Sequence, residues 1–299
     1  MKSNPFKGVG TALVTPFTSG GSVDHECMRA LVERQIEGGV DMLVACGTTG
    51  EAVTLTSDEF EAVVATVVAA AGKRALVVAG VGSNATMKTI DTAKQAERAG
   101  VDGLLIVAPY YNKPTQEGLF QHYASLADAV SLPMIIYNVP GRTGVNITAE
   151  TQLRIAAIES VVATKEASGN PGQIMQIIRD RPETFHVLSG DDNLTLPLIA
   201  AGAHGVISTI SNEVPQEFSA MVHAALDGRL GDARILHYRL LELMEMNFIE
   251  SNPIPVKSAM AMMGLLEEVY RLPMVPIDPG NKEKLRAVLQ RLGLPHSAN

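Results

Sequence analysis

A chemical reading of the chain starts at Lys165. It follows Val161-Val162-Ala163-Thr164, a run suited to a β-strand. Strand alternation then puts Ala163 and Lys165 on one face and Thr164 and Glu166 on the other. A lysine enclosed by a sheet or barrel loses hydration. That disfavours the ammonium and frees the neutral amine that a Schiff-base nucleophile needs. The plain alternatives are a lysine that snorkels to solvent or one that pairs with Glu166. Three hydroxyls, those of Tyr137, Thr48 and Tyr111, stand at the ends of other apolar runs. Together with an amine they can pass protons without metal or cofactor. Gly47-Thr48-Thr49-Gly50 is a glycine-flanked turn whose N–H groups and hydroxyls suit a carboxylate. Arg142, in Pro140-Gly141-Arg142-Thr143-Gly144, suits a second carboxylate through a forked contact. Taken singly, each has a bland counterpart: a packed tyrosine, an ordinary loop, an exposed arginine.

The elements that must position these residues follow a rhythm. Short runs rich in Val, Ile and Leu cover 10–14, 42–46, 76–81, 104–108, 134–139, 161–165, 185–189 and 205–209. Each is almost continuously apolar, as strands covered on both faces should be. Amphipathic stretches separate them. One runs from Asp58 to Ala71 with Ser57 as its expected N-cap and Gly72 as its stop, another spans 84–100, and a third opens after Thr148. Eight strand–helix units in series predict an α/β fold, a (β/α)8 TIM barrel, over residues 1–228. An open doubly wound sheet would carry a longer interruption between its halves, and none is visible. Residues 229–299 lose the strand signal and predict a helical C-terminal extension broken by Pro253, Pro255, Pro273, Pro276 and Pro279. In such a barrel the site forms at the C-terminal ends of the strands, where all the residues named above fall.

Composition narrows the function classes. With 24 Lys+Arg against 32 Asp+Glu, the net charge of −8 disfavours general binding to nucleic acid or an anionic membrane. The N-terminal residues lack the apolar core of a signal peptide, and no apolar run approaches bilayer length. Two cysteines, Cys27 and Cys46, without C-x-x-C spacing, read as reduced thiols of a cytoplasmic protein. The histidines are dispersed, so no metal is expected. Gly80-Val81-Gly82-Ser83-Asn84-Ala85 approaches a dinucleotide fingerprint but sits in the third unit, which disfavours a nucleotide cofactor.

The chain resembles the dihydrodipicolinate synthase / N-acetylneuraminate lyase family of pyruvate-dependent class I aldolases. The likeness is carried by Gly47-Thr48-Thr49-Gly50-Glu51, Tyr137-Asn138-Val139-Pro140 and Lys165-Glu166-Ala167. Pro109-Tyr110-Tyr111-Asn112, Arg142-Thr143-Gly144 and Asn252-Pro253-Ile254-Pro255-Val256-Lys257 look like its synthase branch. The resemblance implies a Schiff-base role for Lys165 and proton transfer by Tyr137 with Thr48 and Tyr111. Tyr111 is there expected to cross from a neighbouring subunit of a homotetramer, a dimer of dimers. Thr49 would hold the pyruvate carboxylate, Arg142 the carboxylate of L-aspartate 4-semialdehyde, and Gly190 and Ile207 would line the pocket through their backbone. No cofactor is implied. The expected product is 4-hydroxy-tetrahydrodipicolinate, an early intermediate of lysine and diaminopimelate synthesis. Asn84 and Tyr110 agree with lysine-inhibited members, but Ser57, Phe60 and Lys88 depart from them. A cation at Lys88 would repel the effector's ammonium, so feedback inhibition by lysine is expected to be weak. The competing readings are an aldolase with a different acceptor aldehyde and a barrel used as a small-molecule sensor.

Overall fold

The computed structural model describes residues 4–295. Eight parallel strands close into a barrel in the order β1 to β8. They are β1 (Gly8–Ala12), β2 (Met42–Ala45), β3 (Leu76–Gly80), β4 (Gly103–Val107), β5 (Met134–Asn138), β6 (Val161–Glu166), β7 (His186–Ser189) and β8 (Gly205–Ser208). The outer helices are α1 (His25–Glu37), α2 (Ser57–Ala71), α3 (Thr86–Ala99), α4 (Gln116–Ala129), the single turn α5 (Pro140–Thr143), α6 (Ala149–Ile155), α7 (Pro171–Asp180), α8 (Thr195–Ala200) and α9 (Pro215–Leu226). The extension adds α10 (Leu230–Met246), α11 (Ile254–Met262) and α12 (Pro279–Leu292).

Two local expectations are corrected. The first strand begins at Gly8, not Gly10, and stops at Ala12, because Gly8 to Thr11 pair with Gly205 to Ser208 and so close the barrel. Helix α2 is capped by Thr56 rather than Ser57. The Thr56 hydroxyl accepts from the Glu59 N–H while the Glu59 carboxylate accepts from the Thr56 N–H, a capping box that leaves Ser57 as the first helical residue. Thr148 does cap α6, accepting from Thr151 N–H at 3.3 Å.

The barrel interior is a compact apolar layer that includes Phe6, Met42, Val78, Ile135, Leu188 and Ile207. A larger core lies between strands and helices, and it runs on without a break into Leu240, Leu243 and Met244 of α10 and Leu285 of α12. Helix α10 packs along α9 and reaches α12. The extension therefore shares the barrel's core rather than enclosing one of its own.

Candidate active site

Register across β5 and β6 pairs Tyr137 with Lys165. Both side chains point into the barrel and are nearly buried, at 7% and 6% exposure. The Lys165 amine sits 4.3 Å from the centroid of the Tyr137 ring. The other face of β6 is wholly committed to structure. Thr164 donates to Gln152 at 2.7 Å, and Glu166 accepts from Asn138, Gln152, Gln173 and Ser168. The pairing of Lys165 with Glu166 is thereby ruled out, since the carboxylate lies on the opposite face with its oxygens occupied. Among the described residues, the Lys165 amine makes no hydrogen bond or ion pair; packing against the Tyr137 ring holds it in place.

Lys165 opens into a cavity of about 50 Å³ walled by Thr48, Thr49, Tyr137, Arg142, Gly190 and Asp191, among others. This inner cavity adjoins an outer one of about 280 Å³, and the two share Gly47, Thr48, Tyr137, Arg142 and Asn252. Gly190 has no room for a side chain, because a Cβ there would stand 2.6 Å from the Ala167 Cβ. Thr49 is buried, and its hydroxyl accepts from the Asn252 amide at 2.9 Å. Arg142 stands at the rim, exposed apart from a 3.3 Å bond to the Asn252 carbonyl. Six of the expected site residues are thus brought together. Ile207 lies in the apolar layer inside the barrel, and from that part of the wall it is Thr209 that reaches the cavity. Tyr111 stands apart, 88% exposed and in a left-handed backbone conformation at φ 73°. Among the described residues, no hydrogen bond links the hydroxyls of Thr48, Tyr111 and Tyr137.

The structure adds Asp191, Asn252 and Phe248 to the wall. Burial pushes the Asp191 carboxyl up to about 6, with Lys165 opposing and Asp192 and Glu166 assisting. Its neighbour Asp192 turns away and accepts the backbone N–H groups of Thr209 and Ile210 at 3.0 and 2.9 Å. Both aspartates stand just past the C-terminal end of β7, yet only Asp191 faces the cavity. Asn252 and Phe248 come from the extension; Asn252 opens the Asn252–Lys257 motif noted in the sequence, whereas nothing local marks Phe248.

Other sequence features fall elsewhere. Gly80 and Gly82 serve close packing: a Cβ at either would lie within 2.4 and 2.5 Å of backbone atoms at Cys46 and Val107, respectively. Cys27 and Cys46 are free, and burial raises them to about 11 and about 12, so neither is a ready nucleophile. Among the described residues, no cluster of three or more His, Cys, Asp or Glu is placed to hold a metal ion. No helix there is long and apolar enough to cross a membrane. Ser57, Phe60, Lys88 and Tyr110 line a further cavity of about 620 Å³ with Asp91 and Arg98; it adjoins the outer one through Ala52, Val53 and Tyr110.

A closed barrel carrying a buried amine and a phenol at the C-terminal ends of its strands defines a class I aldolase-type lyase. The comparisons name the lineage. The family model described as "Dihydrodipicolinate synthetase family" matches residues 5–292. The 4-hydroxy-tetrahydrodipicolinate synthase of Chlorobium phaeobacteroides is 50% identical over 295 residues, covering 98% of this chain and 99% of that protein. The solved dihydrodipicolinate synthase of Aquifex aeolicus superposes with a TM-score of 0.95 at 45% identity, over 98% of this chain and 100% of that one. The chloride-inhibited synthase of Acinetobacter baumannii, solved complexed with pyruvate, gives 0.95 at 41% identity, over 96% and 99%. The chain belongs to the dihydrodipicolinate synthetase family.

Proposed function

We propose that this chain condenses pyruvate with L-aspartate 4-semialdehyde to give 4-hydroxy-tetrahydrodipicolinate. The observation that carries the reading is the Lys165 amine, buried and unpaired, registered against Tyr137 at the cavity floor.

The Lys165 amine attacks the ketone carbon of pyruvate, and water leaves as the imine forms. The protonated imine draws electrons, so a methyl proton is lost and an enamine results. The enamine carbon bonds to the aldehyde carbon of the semialdehyde, whose oxygen takes up a proton. The substrate's amino group then attacks the imine carbon, closing the ring and releasing the lysine amine. Tyr137 is the nearest phenol to these transfers, and Thr48 stands on the same wall. Thr49 and Arg142 offer two separate anchors for the two carboxylates, one deep and one at the rim. Tyr111, turned outward, completes the relay in a neighbouring subunit of a homotetramer. Two free thiols suit a reducing compartment, and we read the location as cytoplasmic. Lys88 lines the cavity of about 620 Å³ with Ser57, Phe60 and Tyr110, where its charge repels the ammonium of a bound lysine and keeps inhibition by lysine weak.

The test is a mass spectrum of protein treated with pyruvate and borohydride, followed by peptide mapping. One reduced pyruvate is expected on Lys165, and a gain at any other residue, or none, rejects the mechanism. Arg142→Ala should raise the semialdehyde KM by about tenfold or more while leaving the trapping of pyruvate intact. Unchanged semialdehyde kinetics would reject the assigned acceptor.

A further inference from the structure

The turn that carries Thr48 and Thr49 is bounded by two left-handed residues that are not glycine, Cys46 at φ 54° and Glu51 at φ 52°. Such a conformation is strained for a residue with a side chain and persists only where its surroundings over-determine it. The turn's own ties are modest: Gly50 N–H to Gly47 O and Glu51 N–H to Thr48 O, both at 3.1 Å, and the Thr15 hydroxyl to Gly50 O at 2.7 Å. The rest of the restraint arrives from the far end of the chain.

Lys257 of α11 is fully buried, and its ammonium donates to Glu51 Oε1 and to the Val269 carbonyl, each at 2.6 Å. The same ammonium lies over the rings of Phe17 and Tyr270, at 4.4 and 5.2 Å. The Arg271 N–H reaches the other Glu51 oxygen at 3.3 Å. Its guanidinium spans Gly21 O, Thr54 O and both oxygens of Glu59. That fork holds the Glu59 carboxyl down to about 2. A fully buried ion pair is a poor source of stability, because desolvating both charges offsets most of their attraction. What such a pair supplies is direction: Lys257 and the Arg271 N–H each hold a different Glu51 oxygen, fixing the carboxylate from two sides.

We propose that the Glu51–Lys257 pair, braced by Arg271, is a positioning device that the C-terminal extension uses to set the Thr48–Thr49 turn before Lys165. The proposal rests on the roles given to Thr48 and Thr49 above. Neither Lys257 nor Arg271 touches the reacting atoms; they act through the backbone of the turn.

The experiment uses full-length Glu51→Gln, Lys257→Met, their double variant and Arg271→Lys, with Thr48→Val and Thr49→Val alongside. Each is measured for melting temperature, kcat and the two KM values. The single variants at 51 and 257 should lose about ten- to a hundredfold in kcat and show a raised pyruvate KM, with the semialdehyde KM unchanged. The double variant, which leaves no unpaired buried charge, should recover melting temperature but not turnover. Recovery of both, or single variants within twofold of the parent in kcat and pyruvate KM, overturns the proposal. If Lys257→Met does not fold, Glu51→Gln decides, since it removes the same ion pair from the other side: a raised pyruvate KM supports the device and an unchanged one overturns it. Full turnover in Thr48→Val and Thr49→Val would instead remove the role given to the turn. Their loss beside unaffected clamp variants removes only the clamp.

Discussion

The two ends of the barrel are built on opposite terms. At the floor, where the strands begin, polar groups are satisfied. Asp41 accepts the Val9 N–H and Asp102 the Val77 N–H, both at 2.8 Å. Asn4 donates to the carbonyls of Val162 and Thr184, each at 2.8 Å, and His186 meets the Phe6 carbonyl. Gly205 lies so close to Gly8 that a Cβ there would fall 2.0 Å from its carbonyl oxygen. At the mouth the pattern reverses. Lys165 is buried without a partner, Asp191 is held near 6 by burial, and the left-handed non-glycine residues Cys46, Glu51, Tyr111 and Lys113 gather in the loops. The floor spends its polar atoms on closing the barrel, and the mouth keeps the Lys165 amine free of hydrogen bonds and ion pairs beside the cavity.

The sharpest way to break this contrast is to change one residue at each end. Lys165→Ala should cut turnover by at least about a thousandfold while the melting temperature holds or rises. A variant that kept more than a few per cent of activity would show that the mouth does not depend on this amine. Gly205→Ala should do the reverse, costing about 4 kcal/mol or preventing folding, because its φ of 146° and the Gly8 backbone both exclude a side chain. Guanidinium unfolding would read this, and a loss under about 1 kcal/mol would mean that the floor yields more than its packing suggests.

A smaller effect separates the ends by pH. Asp191 rises from an ordinary 3.8 to about 6 in the folded chain, so between those values the native state holds more proton than the unfolded one. Stability therefore falls as pH climbs through that window, and the deficit is complete above about 6. Asp191→Asn should remove the deficit, gaining up to about 3 kcal/mol at pH 8 and little at pH 3.5. Melting curves at both pH values check it; an equal gain at both would point to packing rather than charge. The smallest change is expected at Asp102→Asn, which keeps an acceptor for Val77 N–H but loses the charge facing Lys73. It should cost about 1 kcal/mol or less with turnover unaltered.

The same contrast explains what could be read in the residues alone. Strand positions were legible because runs such as Met42 to Cys46 and Met134 to Val139 are apolar throughout, and β6 alternation correctly sent Lys165 inward and Glu166 outward. The cap of α2 was not: Ser57 reads as the cap, but the Thr56–Glu59 capping box sets it one residue earlier. Asp191 and Asp192 could not be told apart, since their difference lies in which one meets Thr209 and Ile210 across the barrel. Asn252 and Lys257 stood out as the two ends of one motif, but the contacts that they and Arg271 make were beyond reach for a plainer reason. Their partners Thr49 and Glu51 stand 203 to 220 positions earlier, and no periodicity links such distant points.

That separation along the chain also orders events during synthesis. The amine on β6 and the strands around it emerge early, whereas the arm that grips Glu51 leaves the ribosome near the end. A nascent chain halted after its eighth strand would hold Lys165, Tyr137, Thr48 and Thr49 but lack Asn252 and the arm that reaches Glu51.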